Sequence, residues 1–235
     1  MKKKVLMAGL SVMVASGLAA AAEPMPRDRL NLSATASMEV TRDVLSIAFS
    51  TTKEGSDAAV VQSGLKQALD AALAEARKVA KPGQVEVQTG NFSLYPRYAP
   101  KGGINGWQGT AELLVEGRDA ASIAQLSGRI GSMSIARVGY SLSKEAREKA
   151  EAEVVVQAIE RFKARASDYV KQFGYGGYAI GEVNVSSSEP GMMPMAAPPM
   201  RFKAMAASAD EALPVEAGKA SVNVTVNGSV VMTAR

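Results

Sequence analysis

Five methionines in one short segment form the densest group of potential metal ligands in this sequence. They are Met192, Met193, Met195, Met200 and Met205. Thioether sulfur is a soft ligand suited to copper(I), so a soft-metal site is one interpretation of the segment. Reversible oxidation to the sulfoxide is a second, because it would let these residues consume oxidants. The prolines and alanines spread through residues 186–214 favour a third, a long mobile loop in which the methionines are incidental.

Histidine and cysteine are both absent from the 235 residues, and this removes most catalytic chemistry. Thiol nucleophiles, Ser-His-Asp triads, histidine bases and the usual zinc ligand sets all need one of the two. Carboxylates remain, but the densest acidic group, Glu145, Glu148, Glu151 and Glu153, falls on the surface of a predicted helix. Solvated charge accounts for this group, so we expect no enzyme activity, no catalytic residues and no cofactor.

Three aromatic residues around a glycine- and proline-rich segment form the other candidate site: Tyr95, Tyr98 and Trp107. Alternating apolar residues on both sides of that segment predict two long strands, which places the aromatics at the distal end of a hairpin. Exposed tyrosine and tryptophan are common at interface hot spots, which favours contact with a second copy of the chain or another partner. The alternative is that they fold back onto the surface of their own domain.

Residues 1–22 have the pattern of a cleavable signal peptide. Lysines at 2–4 precede an apolar run at 5–18, and Ala20 and Ala22 form the Ala-x-Ala motif of a cleavage site. The run is about 14 residues, short of the roughly 20 that span a bilayer, so we expect cleavage after Ala22. No later run is apolar enough for a transmembrane helix, and lipid attachment would need a cysteine. The sequence therefore predicts export of a soluble chain.

Cleavage of the signal peptide would lower the net charge of the chain. Loss of the three signal-peptide lysines leaves 24 basic and 23 acidic residues, a formal charge of +1. This balance offers no basic surface for nucleic acid, so no nucleic-acid partner is expected. The remaining residues, 23–235, suffice for one large domain or two small interlocked ones, held by the core alone because no disulfide can form.

Apolar spacing predicts seven strands and three helices along the chain. The strands are expected near 30–40, 45–51, 85–94, 107–115, 133–142, 180–185 and 222–232, and the helices near 56–80, 119–131 and 143–174. A turn at 41–43 predicts that the first two strands form a hairpin, and Gly90 at a change of alternation predicts a bulge. Ser56, Asp119 and Ser143 are the predicted N-caps, and Gly174 is the predicted end of the last helix.

The long helix near 143–174 has one apolar row. Its members follow each other by three or four positions: Ala152, Val155, Ile159, Phe162, Ala166, Tyr169 and Phe173. This spacing suits a coiled-coil partner, but strands on both sides in sequence favour packing on a sheet of the same chain. Together these elements predict an α+β fold of mainly antiparallel sheets with helices packed on one face. Two similar ββα-type halves are expected, at about 28–118 and 119–235.

Several segments resemble one known family. Gln88–Tyr98 resembles the signature strand of the SIMPL-domain family, with its Gln-Thr pair and its Ser-x-x-Pro-x-Tyr ending. Ile104–Trp107 is similar to the following Ile-x-Gly-Tyr strand start, with tryptophan in place of the commoner tyrosine. The helix start at Leu142–Ser143, the helix end at Phe173–Gly174 and the strand entry at Leu213–Gly218 also match, so the resemblance extends over about 30–232.

The resemblance implies an α+β fold and, in Gram-negative bacteria, location in the periplasm. Relatives are described as periplasmic immunogenic proteins or as defence proteins against oxidative stress, and some form large ring-like oligomers. No catalytic residues are established for the family, so none are assigned here. We therefore expect a periplasmic, non-enzymatic protein that self-associates, contributes to envelope or oxidative-stress defence and has possible envelope association. A copper-binding protein that uses the methionine segment is the alternative.

Overall fold

The computed structural model of this protein describes residues 28–188 and 213–235. Seven strands and three helices lie in these two ranges, in the order β1 (Arg29–Thr41), β2 (Val44–Gly55), α1 (Ala58–Val79), β3 (Val85–Tyr98), β4 (Ile104–Gly117), α2 (Ala120–Arg129), β5 (Ser134–Ser141), α3 (Lys144–Gln172), β6 (Gly177–Ser188) and β7 (Lys219–Thr233). The predicted signal peptide and most of the methionine segment lie outside the described residues. Within the described residues, no helix is both long enough and apolar enough to cross a membrane.

The larger of two sheets is built from one continuous stretch of chain, residues 44–141. Its strand order is β3-β4-β2-β5, and all neighbours are antiparallel. Helix α1 connects β2 to β3 and α2 connects β4 to β5, which is the βαββαβ order of a ferredoxin-like arrangement. Both helices cover the same face, over a core of large apolar side chains that includes Phe49, Leu65, Leu113 and Leu126.

The smaller sheet combines the beginning and the end of the described chain. Its order is β1-β7-β6, again antiparallel, and α3 packs on one face. Its core is made of alanine and valine around a single large side chain, Phe162. The predicted α+β class, with antiparallel sheets and helices on one face of each, is therefore confirmed.

The predicted hairpin between the first two strands is wrong. β1 pairs with β7 and β2 pairs with β4 and β5, so Arg42 and Asp43 carry the chain from one sheet to the other. Alternation of apolar and polar residues identifies a strand but not the strand that it pairs with. A two-residue connection can either close a hairpin or carry the chain to another sheet. The boundary expected near 118 also fails to separate the two sheets. β1 precedes it but lies in the smaller sheet, while β5 follows it but lies in the larger one.

The buried row of α3 differs from the predicted one. The buried residues follow each other at every fourth position: Ala150, Val154, Ala158, Phe162, Ala166 and Val170. Ala152, Tyr169 and Phe173 are exposed, Phe173 by 62%, and Val155 and Ile159 are only partly buried. Steps of four give a row inclined to the helix axis, as expected for a helix that crosses a twisted sheet at an angle. The alanines in that row let α3 lie close to the strands.

Most predicted helix ends are confirmed. Asp119 accepts a hydrogen bond from the Ser122 N–H (3.1 Å), and the Ser143 hydroxyl accepts one from the Ala146 N–H (3.1 Å). Gly174, with φ of 84°, ends α3 as predicted. The cap of α1 is Asp57 rather than Ser56, because the Asp57 carboxylate is the group that accepts from the first free N–H groups. The bulge at Gly90 is also confirmed by the register shift in β3.

Candidate functional site

The tip of the β3–β4 hairpin exposes two of the three predicted aromatic residues. Tyr98 is 68% exposed and Tyr95 is 44% exposed, and Ile104 beside them is exposed as well. The turn is closed by hydrogen bonds between Ala99 and Gly103 (2.9 Å) and between Gly102 and Ala99 (2.9 Å). An ion pair between Arg97 and Glu54 ties the tip to the neighbouring strand β2. The tip therefore presents aromatic surface on a hydrogen-bonded hairpin end.

Trp107 lies on the other face of the sheet. Its Cα partners are Pro96 in β3 and Gly55 in β2, whereas Tyr95 is opposite Gln108. Because side chains alternate along a strand, Tyr95 and Trp107 point to opposite faces. Trp107 is partly buried and packs against the core of the larger sheet. The structure thus splits the predicted group, with Tyr95 and Tyr98 available to a partner and Trp107 contributing to the fold.

The predicted metal ligands Met192, Met193, Met195, Met200 and Met205 lie outside the described residues. Within residues 28–188 and 213–235 there is no group of three or more acidic side chains placed to hold a metal ion. The copper interpretation therefore stays a prediction from sequence.

A polar junction of Asp43, Arg118, Ser143 and Glu145 connects the two sheets. The sequence predicted a turn at 41–43 and a helix cap at Ser143, but not the contact between them. Asp43 accepts hydrogen bonds from the Ser143 N–H (2.7 Å) and from the Ser143 hydroxyl (2.7 Å). Arg118 lies beside the same carboxylate, with its Nε 3.5 Å from Asp43 Oδ2, and also pairs with Glu145 in the first turn of α3. Asp43 thus connects the crossing from β1 to β2 with the start of α3.

The environment of Asp43 favours its ionised form. Partial burial alone would raise its pKa, but the hydrogen bonds from Ser143 and the nearby Arg118 guanidinium outweigh that effect. The net result is a pKa below the ordinary value for an aspartate. The segment that leads into β7 lies at the same junction, because the Arg42 N–H donates to the Gly218 carbonyl (3.0 Å) just before β7. The junction therefore holds every described passage of the chain between the sheets.

The outer face of the smaller sheet, opposite α3, is mainly polar and carries only a few scattered charges, among them Arg29, Glu39 and Lys219. Serine, threonine and asparagine occupy most outward positions, and the Thr35 and Thr225 hydroxyls lie 3.1 Å apart across β1 and β7. A wide depression of about 480 Å³ on this face is lined by residues that include Arg29, Glu182 and Asn227. The face offers hydrogen-bond donors and acceptors without a concentrated charge.

The fold and the exposed features define a two-sheet α+β protein in which Tyr98, at a hairpin tip, is the most exposed aromatic residue among those the structure describes. The family model of SIMPL, described as "Protein of unknown function (DUF541)", matches residues 30–230. The chain therefore belongs to the SIMPL family, as the motifs in its sequence predicted.

Comparison with individual proteins adds little. No curated protein matches the chain. One similar solved structure is described as "The crystal structure of AtUAH in complex with glyoxylate", with 16% sequence identity and a TM-score of 0.25. The alignment covers 56% of this chain and 34% of that chain, so this protein spans about a third of its length. A similarity at this level carries no argument about fold or function.

Proposed function

We propose that this chain is an exported, periplasmic, non-enzymatic protein that self-associates and contributes to envelope or oxidative-stress defence. The observation that carries the self-association is the exposure of Tyr98 and Tyr95 together at the hairpin tip. Aromatic side chains lose little conformational entropy on binding and bury a large area, so they act as anchors at interfaces. Export rests on the signal pattern at 1–22, and the defence role rests on the resemblance to the family.

Light scattering coupled to gel filtration tests the self-association. Tyr98→Ser in the mature chain should lower the oligomeric mass or shift its concentration dependence at least several-fold, because an exposed anchor is lost without opening the core. Tyr169→Ser is the control, since Tyr169 is an exposed tyrosine (41%) on α3, away from the tip. A wild-type chain that is monomeric at every concentration, or an unchanged mass for Tyr98→Ser, would count against the role of the tip.

The defence role needs a cellular measurement. A strain without this protein should survive peroxide less well than its parent, and export of the wild-type chain should restore survival. Restoration by Tyr169→Ser but not by Tyr98→Ser would connect defence to self-association. Equal survival of the parent and the deleted strain would remove the defence role.

The second candidate is copper(I) binding by the methionine segment. Five thioethers in a chain without cysteine or histidine are the observation that favours it. Titration of copper(I) into the wild type and into a variant with Met192, Met193, Met195, Met200 and Met205 all replaced by leucine should show weaker binding in the variant. Equal affinities would exclude this use of the segment.

A further inference from the structure

The two edge strands of the smaller sheet, β1 and β6, differ in whether α3 contacts their free backbone groups. At the β1 edge, Arg161 of α3 donates a hydrogen bond to the Thr35 carbonyl (2.8 Å) and Arg165 donates one to the Ser33 carbonyl (2.6 Å). These guanidinium groups occupy carbonyls that would otherwise be free. Unpaired edge groups are templates for another strand, so α3 protects the β1 edge.

The β6 edge has no such cover among the described elements. Its sheet ends at β6, and ten of its twelve residues, those from Ala179 to Ser188, are exposed. Charge, proline and a covering helix are the usual means of blunting an edge strand. Within Gly177–Ser188 there is no proline and no lysine, and Glu182 is the one charged residue. Among the described elements, the strand is therefore an open edge by composition as well as by position.

The register shows which β6 residues present free backbone groups. In an antiparallel strand each residue directs its N–H and C=O to one side, and neighbouring residues alternate. The carbonyls of Ser33 and Thr35 are directed away from β7, to the open side of β1. The backbone groups of even-numbered β7 residues are therefore directed to β1, and those of odd-numbered β7 residues to β6. Asn184 and Ser186, opposite Asn227 and Thr225, are then bonded to β7. Val183, Val185 and Ser187 present their N–H and C=O groups at the open edge.

The same residues carry apolar surface. Val183 is opposite Gly228 and Val185 is opposite Val226, so both side chains lie on the α3 side of the sheet. They are nevertheless 39% and 46% exposed, because β6 lies at the margin of the area that α3 covers. Free backbone groups and an apolar row on one strand suit the addition of another strand with similar side chains.

We propose that β6 pairs antiparallel with β6 of a second copy, so that the two smaller sheets become one continuous sheet. The strand is complementary to itself. Pairing centred on Asn184 places Val183 opposite Val185 twice and Glu182 opposite Ser186, so apolar residues meet and no like charges do. Such a contact has the two-fold symmetry typical of homodimers. This proposal rests on the proposed self-association but uses a surface distinct from the hairpin tip.

Proline substitution tests the pairing without disturbing the sheet itself. Val185→Pro removes an N–H that points to the open edge and leaves the bonds to β7 in place. Ser37→Pro is the control, because Ser37 has the same outward orientation on the β1 edge. Val185→Pro should halve the mass measured by light scattering, whereas Ser37→Pro should keep the wild-type mass.

A cysteine cross-link tests the register. Asn184→Cys would place one thiol opposite its copy at a pair without backbone hydrogen bonds, where Cα atoms are about 4.5 Å apart and a disulfide can form. The native chain has no cysteine to compete. Under mild oxidation this variant should run as a covalent dimer, while Asn223→Cys on the central strand β7 should stay monomeric in denaturing gels.

The outcomes separate this proposal from the general one. A wild-type chain that is monomeric at all concentrations overturns both. An associated wild type whose mass is unchanged by Val185→Pro, or whose Asn184→Cys variant does not cross-link, overturns the β6 pairing and leaves the hairpin tip as the contact to test.

Discussion

The two sheets of this protein bury different kinds of core and assemble from different parts of the chain. The larger sheet uses only residues 44–141 and encloses phenylalanine, leucine and isoleucine. The smaller sheet joins strands such as β1 and β7, whose paired residues Thr35 and Thr225 are 190 positions apart, over alanine and valine. Non-local pairing costs more chain entropy, and small side chains bury less area to offset it. We therefore expect the smaller sheet to be the less stable layer.

Phe162→Ala should cause the largest loss of stability, and the loss should be concentrated in the smaller sheet. Phe162 is the largest side chain in the core of the smaller sheet, and its removal should cost about 3–5 kcal/mol in the free energy of unfolding. Hydrogen exchange should show lost protection in β1, β6 and β7 before β2 and β4. Phe173→Ala, at an exposed position just after the same helix, should change stability by no more than about 0.5 kcal/mol. Equal loss of protection in both sheets would show that they unfold as one unit.

Gly228→Ala should have an intermediate effect because β7 lies close to both β6 and α3 at this position. A Cβ at this position would lie 2.8 Å from the Glu182 carbonyl oxygen and 3.2 Å from Phe162 Cζ. Crowding of this kind costs about 1–3 kcal/mol, which denaturant unfolding would measure. Gly139→Ala in β5, where nothing lies within 4 Å of the added Cβ, is the control and should not destabilise the larger sheet. If the two alanines cost the same, close packing of β7 against β6 and α3 is not what requires Gly228.

Asp43→Asn should have the smallest effect and should depend on pH. The folded state lowers the pKa of Asp43, so its stabilising contribution is complete above the ordinary value near 3.8 and is lost as the pH falls through the lowered value. At neutral pH the substitution should cost about 1–2 kcal/mol in hydrogen bonds to Ser143. The difference from wild type should shrink in acid, as followed by chemical denaturation at several pH values. A difference that is constant from pH 7 to acid would show that the Asp43 charge contributes nothing.

Local patterns in the sequence predicted most elements but not their partners. The caps at Asp119 and Ser143, the stop at Gly174 and the bulge at Gly90 follow from side-chain and backbone preferences within a few residues. The pairing of β1 with β7 has no local signal, because the two-residue passage at Arg42 and Asp43 resembles an ordinary hairpin turn. The buried row of α3 also depends on the angle at which the helix crosses its sheet, and the spacing of apolar residues does not determine that angle.

The candidate site was predictable to a similar extent. The sequence located aromatic residues at a hairpin end, and alternation relative to neighbouring strands was needed to separate Tyr95 from Trp107. The open edge of β6 could not be found from its own residues. Whether an edge is covered depends on Arg161 and Arg165 reaching the opposite strand, which is a property of the packed helix.

By itself the sequence determined the α+β class, the order of the elements and the membership of the SIMPL family, because these follow from local periodicity and from motifs in one order. Only the tertiary structure decided which strands share a sheet, which side chains lie at a surface and which edge stays open. Those features depend on contacts between residues far apart in the chain. They are stabilised by side-chain burial and strand pairing between distant segments, which no single segment can provide.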